Sequence, residues 1–120
     1  MGEDKSAYEF FCIATEALNK SDYLTAIKQL LISNSIEEHY KTYEKLYHCY
    51  CAIGKWDEAF SCIRSAYQMN SKNDKTAFEY AKYLVEKKDF VFAKNVLKDI
   101  LRRNSSYKAA QMLLDEIDSK

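Results

Sequence analysis

Hydrophobic residues recur at helical spacing along most of the chain. Tyr43, Leu46 and Tyr50 are separated by three and four positions, which places them on one face of a helix. A second stripe of this kind runs through residues 56–67. Between the two stripes the sequence IGK breaks the pattern, and Gly54 suits the left-handed conformation in which many helices end. The pattern therefore predicts two helices joined by a tight turn.

This pattern occurs three times, at intervals of 33 and 34 residues. An aromatic residue opens the second helix of each copy: Tyr23, Trp56 and Phe90. Five further columns keep the same frame: Ala26, Ala59 and Ala93; Leu30, Ile63 and Leu97; Phe10, Tyr43 and Ala77; Ile13, Leu46 and Tyr80; and Ala17, Tyr50 and Leu84. We therefore predict one domain over residues 1–120, built of three helical hairpins at about 7–36, 37–71 and 74–104 and a capping helix at about 106–118.

Clusters of serine and asparagine mark the boundaries between the hairpins. Ser35 and Ser71 are each followed three residues later by an acidic residue, so we expect each serine to cap the helix that follows. The sequence NSSY, which begins at Asn104, offers similar capping chemistry ahead of the last helix.

The repeat resembles that of the tetratricopeptide repeat family, whose unit has about 34 residues. The second repeat carries the resemblance best, through Tyr43, Leu46, Tyr47, Tyr50, Gly54, Trp56, Ala59, Ile63 and Ala66. The departures are Ser71 and Ser105 in place of proline, Lys88 in place of the turn glycine, and the bulky Tyr47 in place of a small residue. The resemblance implies an all-α fold, a right-handed superhelical solenoid of three antiparallel helix pairs plus a capping helix, with about seven helices.

The family resemblance also implies a concave face, lined by the first helix of each pair, that binds a peptide or a helix of a partner protein. Exposed aromatic residues beside lysines indicate a ligand with an apolar anchor and an acidic group. The alternative is that Tyr8, Phe11 and Phe78 pack against neighbouring helices. The positions that the resemblance assigns to this face are Tyr8, Phe11, Thr15, Leu18, Lys41, Glu44, His48, Cys51, Lys75, Phe78, Lys82 and Val85.

Family members that hold the C-terminal tails of heat-shock chaperones use a clamp of lysine, asparagine and arginine. The corresponding residues of this chain are Phe11, Thr15, Lys45, Lys75 and Glu79. Only Lys75 fits the clamp, and Glu79 reverses a charge. We therefore predict that the chain does not bind those tails.

The composition of the chain limits the classes of partner and of fold that we expect. Lys plus Arg and Asp plus Glu number 18 each, so net charge gives no reason to expect nucleic acid or an anionic membrane as a partner. Proline is absent and glycine occurs only 2 times, which favours an all-helical chain. The N-terminal sequence does not resemble a signal peptide, so we expect a cytoplasmic protein whose cysteines (Cys12, Cys49, Cys51 and Cys62) are mostly buried, reduced thiols.

No residue pattern predicts a cofactor, a metal site or an enzyme. On a helix Cys49 and Cys51 point about 200° apart, which disfavours a shared zinc ion. Cys51 and His48 form the only arguable nucleophile–base pair. We predict a non-catalytic protein–protein interaction module. The alternatives are a self-associating scaffold that forms a homo-oligomer, a regulatory appendage of a larger enzyme or transcription regulator, and an enzyme with Cys51 as nucleophile.

Overall fold

The computed structural model describes residues 5–119, and these form seven α-helices and no strand. This confirms the prediction of an all-α fold with about seven helices. The helices are α1 (Ala7–Asn19), α2 (Tyr23–Ile36), α3 (Tyr40–Ala52), α4 (Trp56–Met69), α5 (Asp74–Glu86), α6 (Phe90–Arg103) and α7 (Lys108–Asp118).

The chain divides into two compact units, Met1–Met69 and Asn70–Lys120, called here the N-terminal and C-terminal units. In the N-terminal unit α1 packs against α2, α3 against α4, and α2 against α3. In the C-terminal unit α5 packs against α6, and α6 packs against α7. The N-terminal unit therefore contains two helical hairpins, and the C-terminal unit contains one hairpin to which α7 is added.

The three hairpins turn in the same way. Ser21, Gly54 and Lys88 occupy equivalent positions and have left-handed φ values of 57°, 76° and 65°. The residue after each of them donates its backbone N–H to the carbonyl five residues back, over 2.9 Å in every turn: Asp22 to Ala17, Lys55 to Tyr50, and Asp89 to Leu84. This is the Schellman arrangement, which satisfies carbonyls that the end of a helix leaves without partners.

Small residues occupy the positions where the helices of a hairpin meet. Ala26, Ala59 and Ala93 are each 0% exposed. Alanine has no side chain beyond Cβ, so the partner helix can come close to the backbone there. Tyr47 takes the place that Ala14 and Ala81 hold in the other hairpins, yet it is also buried, so the N-terminal unit accommodates a ring at this position.

The structure corrects the predicted helix starts. Ser35 lies inside α2, where its hydroxyl donates to the carbonyl of Ile32, and the N-cap of α3 is His39. The N-cap of α5 is Asn73, which accepts from the backbone of Thr76, and is not Ser71. The N-cap of α7 is Tyr107, the last residue of NSSY, and it makes no side-chain capping bond, so the capping by serine or asparagine expected from NSSY is not formed.

The left-handed turns generate a stability prediction. A side chain costs about 1 kcal/mol in this conformation, and glycine avoids that cost. We expect Lys88→Gly to be more stable to unfolding by urea than the matched Lys88→Ala variant, which removes the same charge but keeps the Cβ atom. The measurement is the free energy of unfolding of the two variants and of the unchanged chain.

Gly54 supplies the opposite test. A Cβ atom at this position would meet no heavy atom within 4 Å, so the cost of Gly54→Ala is conformational and not a clash. We expect a loss of about 1 kcal/mol. Equal stability of Lys88→Gly and Lys88→Ala, together with no loss in Gly54→Ala, would show that the left-handed conformation carries no cost here.

Candidate functional site

All twelve residues predicted for a concave face keep at least part of their surface accessible. The exposed members are Tyr8, Lys41, His48, Lys75 and Lys82. The half-buried members are Phe11, Thr15, Leu18, Glu44, Cys51, Phe78 and Val85. The opposite sides of the same helices hold buried residues such as Ala17, Leu46 and Tyr80. Each first helix is therefore amphipathic, with the predicted residues on its accessible side.

In the N-terminal unit, α1 and α3 bring an aromatic ring and a lysine together. The ammonium of Lys45 on α3 lies 5.4 Å from the centroid of the Phe11 ring on α1, within the range of a cation–π contact. Thr15 donates its hydroxyl to the carbonyl of Phe11 over 3.0 Å. Tyr8, one turn before Phe11, is 73% exposed and is the most accessible aromatic residue of the predicted set.

A cleft of about 310 Å³ lies beside these residues, within the N-terminal unit. Its lining includes three predicted residues, Tyr8, Phe11 and Lys41. The other five lining residues were not predicted: Ala7, Ser33, Glu37, His39 and Thr42. Ser33, Glu37 and His39 belong to the end of α2 and the segment that follows it, which the prediction had not connected with the face of α1.

His39 holds the edge of this cleft in a defined geometry. Its Nδ1 atom accepts a hydrogen bond of 3.1 Å from the backbone N–H of Lys41, and its ring stacks on Tyr40 with centroids 5.0 Å apart. Its own backbone N–H donates to the side chain of Asn34 over 3.3 Å. Because Nδ1 is an acceptor, the neutral imidazole carries its proton on Nε2, which is a hydrogen-bond donor.

In the C-terminal unit, the predicted anchor Phe78 is partly covered. Its ring lies 5.6 Å from that of Tyr107, the N-cap of α7, and the ammonium of Lys82 lies 5.2 Å from its centroid. Lys82 also forms an ion pair of 2.9 Å with Glu79. Phe78 therefore packs partly against Tyr107, which agrees in part with the alternative that the predicted aromatic residues pack against neighbouring helices.

Tyr107 was not among the predicted residues, although it belongs to this cluster. Its pKa is raised, first by burial and then by the nearby carboxylates of Asp74 and Glu79. Asp74 is itself held by Arg103, whose two nitrogens lie 3.0 and 2.9 Å from one carboxylate oxygen. The only feature of the sequence that could have pointed to Tyr107 is that it is an aromatic residue directly before the predicted capping helix.

The four cysteines are all free thiols, and they differ in exposure. Cys12 is exposed, Cys49 is buried, and Cys51 and Cys62 are half-buried, so the expectation of mostly buried thiols is met fully only by Cys49 and is wrong for Cys12. Burial raises the pKa of Cys49 to about 11. Burial also raises the pKa of Cys62 to about 11, with smaller contributions from Glu58 and Cys49.

The described residues contain neither a membrane-spanning helix nor a cluster of metal ligands. No helix within residues 5–119 has the length and apolar character needed to cross a membrane. Over that same stretch, no group of three or more His, Cys, Asp or Glu side chains is placed to hold a metal ion.

Solved structures share this architecture, although no protein-family model matches the sequence and no curated protein matches it significantly. A tetratricopeptide repeat protein from Parabacteroides merdae superposes with a TM-score of 0.83 at 20% identity, covering 95% of this chain and 46% of its own. The first TPR of Spaghetti (RPAP3), bound to the HSP90 peptide SRMEEVD, gives 0.75 at 15% identity, covering 95% of this chain and 94% of that one.

A third neighbour is the type III secretion chaperone SycD of Yersinia enterocolitica in complex with a peptide of the translocator YopD. Its TM-score is 0.68 at 18% identity, with 93% of this chain and 86% of that one covered. The chain spans only 23% of yeast Tom70, which it also resembles, with a TM-score of 0.77 at 18% identity over 92% of this chain. These likenesses establish the fold and confirm the predicted resemblance.

The thiols generate a prediction about reactivity. Alkylation proceeds through the thiolate, and a pKa of about 11 leaves on the order of one thiol in a thousand ionised at pH 8. We expect iodoacetamide to label Cys12 first at pH 8 and to label Cys49 and Cys62 much more slowly. Labelling of these two should accelerate as the pH rises toward 11, and peptide mass spectrometry at successive times measures each site.

The unfolded chain is the control, because all four cysteines should then react at similar rates. Labelling of Cys49 or Cys62 as fast as Cys12 in the folded chain would contradict the assignment. Stoichiometric labelling of Cys51 ahead of Cys12 would instead favour the alternative in which Cys51 is an activated nucleophile.

Proposed function

We propose that this chain, which has the tetratricopeptide-repeat fold, is a non-catalytic interaction module that binds a segment of a partner protein through the predicted residues of α1, α3 and α5. The observation that carries the proposal is the accessibility of those residues on helices whose other sides are buried. Aromatic and charged side chains on such a preorganised surface can bind a segment without a costly rearrangement.

Two of the similar solved structures support a protein segment as the ligand. The RPAP3 domain was solved with a bound HSP90 peptide, and SycD was solved with a bound YopD peptide. Both chains are covered over most of their length by this one. The fold of this chain is thus one that can hold a short protein segment.

The side chains favour a ligand that combines an apolar residue with an acidic one. In each unit a lysine lies over an aromatic ring: Lys45 over Phe11 and Lys82 over Phe78. Of the predicted aromatic anchors, Tyr8 offers the most accessible surface. We therefore expect the N-terminal unit to supply the principal anchor and the lysines to favour acidic groups nearby.

The test is a quantitative pull-down that compares two double variants matched in chemistry. Tyr8→Ala plus Lys41→Glu changes the proposed face, whereas Leu24→Ala plus Lys28→Glu makes similar changes on exposed residues of α2. We expect a partner protein from the source lysate to be retained by the unchanged chain and by the α2 variant. The first variant should lose at least about 90% of it, which corresponds to a tenfold loss of affinity.

Circular dichroism of both variants checks that they fold. Equal retention by the two variants would contradict the proposed face, and loss only in the α2 variant would move the binding surface to α2. Recovery of the chain's own copies instead of another protein would favour the self-associating scaffold.

The chain should not bind the chaperone tail that RPAP3 binds. Phe11 stands at one predicted clamp position with Lys45 over its ring, and Glu79 places a carboxylate at another, where it pairs with Lys82. We expect no binding of fluorescein-labelled SRMEEVD by anisotropy at micromolar protein, with the RPAP3 domain as the positive control. A low-micromolar affinity would overturn this prediction.

A further inference from the structure

The cleft of the N-terminal unit has the size and lining of a pocket for one side chain. Its volume of about 310 Å³ lies at the small end of the range for ligand pockets and is sufficient for a large amino-acid side chain. Ala7, Tyr8 and Phe11 contribute apolar surface from α1. The cleft thus offers a place for an apolar group beside the most exposed aromatic residue of the chain.

Two buried hydroxyl residues belong to the lining. Ser33 and Thr42 are each 2% exposed. Ser33 donates its hydroxyl to the carbonyl of Ala7 over 2.7 Å, which ties the end of α2 to the start of α1. This bond, the contact of Lys45 with Phe11 and the capping bond of His39 hold residues from three helices around the cleft. The pocket is therefore preformed, which lowers the cost of binding.

The charges at the edge of the cleft stand at the wrong ends of their helices. Glu37 is the C-cap of α2, where the helix dipole is negative, and Lys41 lies in the first turn of α3, where it is positive. Within residues 5–119 neither side chain has an ion-pair partner. Local rules of helix stability are most often broken where function requires it.

A ligand can relieve both unfavourable placements at once. An acidic group near Lys41 would meet an ammonium, the positive end of α3 and the Nε2 donor of His39. A basic group near Glu37 would meet a carboxylate and the negative end of α2. The other nearby carboxylate, that of Glu38, accepts a hydrogen bond from the hydroxyl of Tyr43 and does not line the cleft, so Glu37 is the acid of the cleft.

We propose that this cleft is the anchor pocket of the interaction module, and that it receives a large apolar side chain flanked by an acidic residue on the α3 side and a basic residue on the α2 side. The inference rests on the proposed function and names the chemistry of the partner segment. Its occupant is a segment of another protein, selected by charge complementarity as well as by the apolar cleft.

The experiment begins with selection of a phage-displayed library of random peptides on the full chain. The enriched peptides should share a large apolar residue between an acidic and a basic one.

A labelled consensus peptide is then titrated by fluorescence anisotropy against two variants of the chain. In Ala7→Leu, leucine, which is a good helix former, fills the cleft, and Lys41→Glu reverses the charge on the α3 side. We expect each variant to lose about tenfold or more in affinity, as for loss of a charge-assisted contact or of an apolar pocket. Lys28→Glu, which makes the same charge change on an exposed residue of α2 outside the proposed face, is the matched control and should change affinity by less than about twofold.

A charge-swapped chain separates a role in binding from a role in folding. Glu37→Lys plus Lys41→Glu puts a cation at the C-cap of α2 and an acid in the first turn of α3. Because residue 37 also lies two residues before the N-cap of α3, we expect the stability of this variant to stay close to that of the unchanged chain. It should nevertheless lose the consensus peptide and gain a peptide in which the acidic and basic flanks are exchanged. A structural role for these charges would instead lower stability and give no gain for the exchanged peptide.

The outcomes distinguish this inference from the proposed function. Peptides that bind Ala7→Leu and Lys41→Glu as tightly as the unchanged chain would overturn the anchor pocket. If they instead lose affinity in Lys75→Glu, at the position of α5 equivalent to Lys41, the interaction module stands with its anchor on α5. A library that yields no enriched peptide would count against both proposals.

Discussion

The left-handed residue between the two helices of each hairpin is the constraint from which the rest of the structure follows. Ser21, Gly54 and Lys88 reverse the chain with the same backbone hydrogen bonds. Only one of them is glycine, so two hairpins keep the turn at a cost of about 1 kcal/mol each. Packing between the helices must offset that cost, because a residue with a side chain would otherwise favour a conformation with negative φ.

The turn determines which residues face each other within a hairpin. Once its geometry is set, the alanines five positions later meet the first helix, and Ala26, Ala59 and Ala93 are fully buried. Four residues after the alanine, each second helix buries a larger side chain, such as Leu30 or Leu97. The regular period of the sequence is therefore the consequence of one turn geometry used three times, which explains why the repeat was visible without any structure.

The helix starts were less predictable than the repeat, for a physical reason. Ser35 has the sequence context of an N-cap, yet its hydroxyl bonds back to Ile32 and the helix continues to Ile36. Serine can satisfy either role, and the choice depends on where α2 ends. His39 caps α3 with a ring nitrogen, which the usual preferences for Ser, Thr, Asp and Asn do not anticipate.

The contacts of the candidate site also differ in how well the sequence could predict them, because some join neighbours on one helix and others join residues far apart in the chain. Phe78 and Lys82 are four residues apart on α5, so their contact follows from helical spacing. Lys45 reaches Phe11 from another helix, and Ser33 bonds to Ala7 across a separation of 26 residues. Spacing within a single helix could not reveal these contacts, and the cleft of the N-terminal unit depends on both of them.

Net charge proved a poor guide to the electrostatics of this surface. The chain carries 18 basic and 18 acidic residues, yet Lys41 and Glu37 both line one cleft, and Lys45 lies beside it over the ring of Phe11. The sum over the chain measures attraction to long polyanions, whereas a short segment responds to charges within about 10 Å of it. A neutral protein can therefore discriminate among charged segments, provided that its folding places unpaired charges of both signs around one apolar cleft.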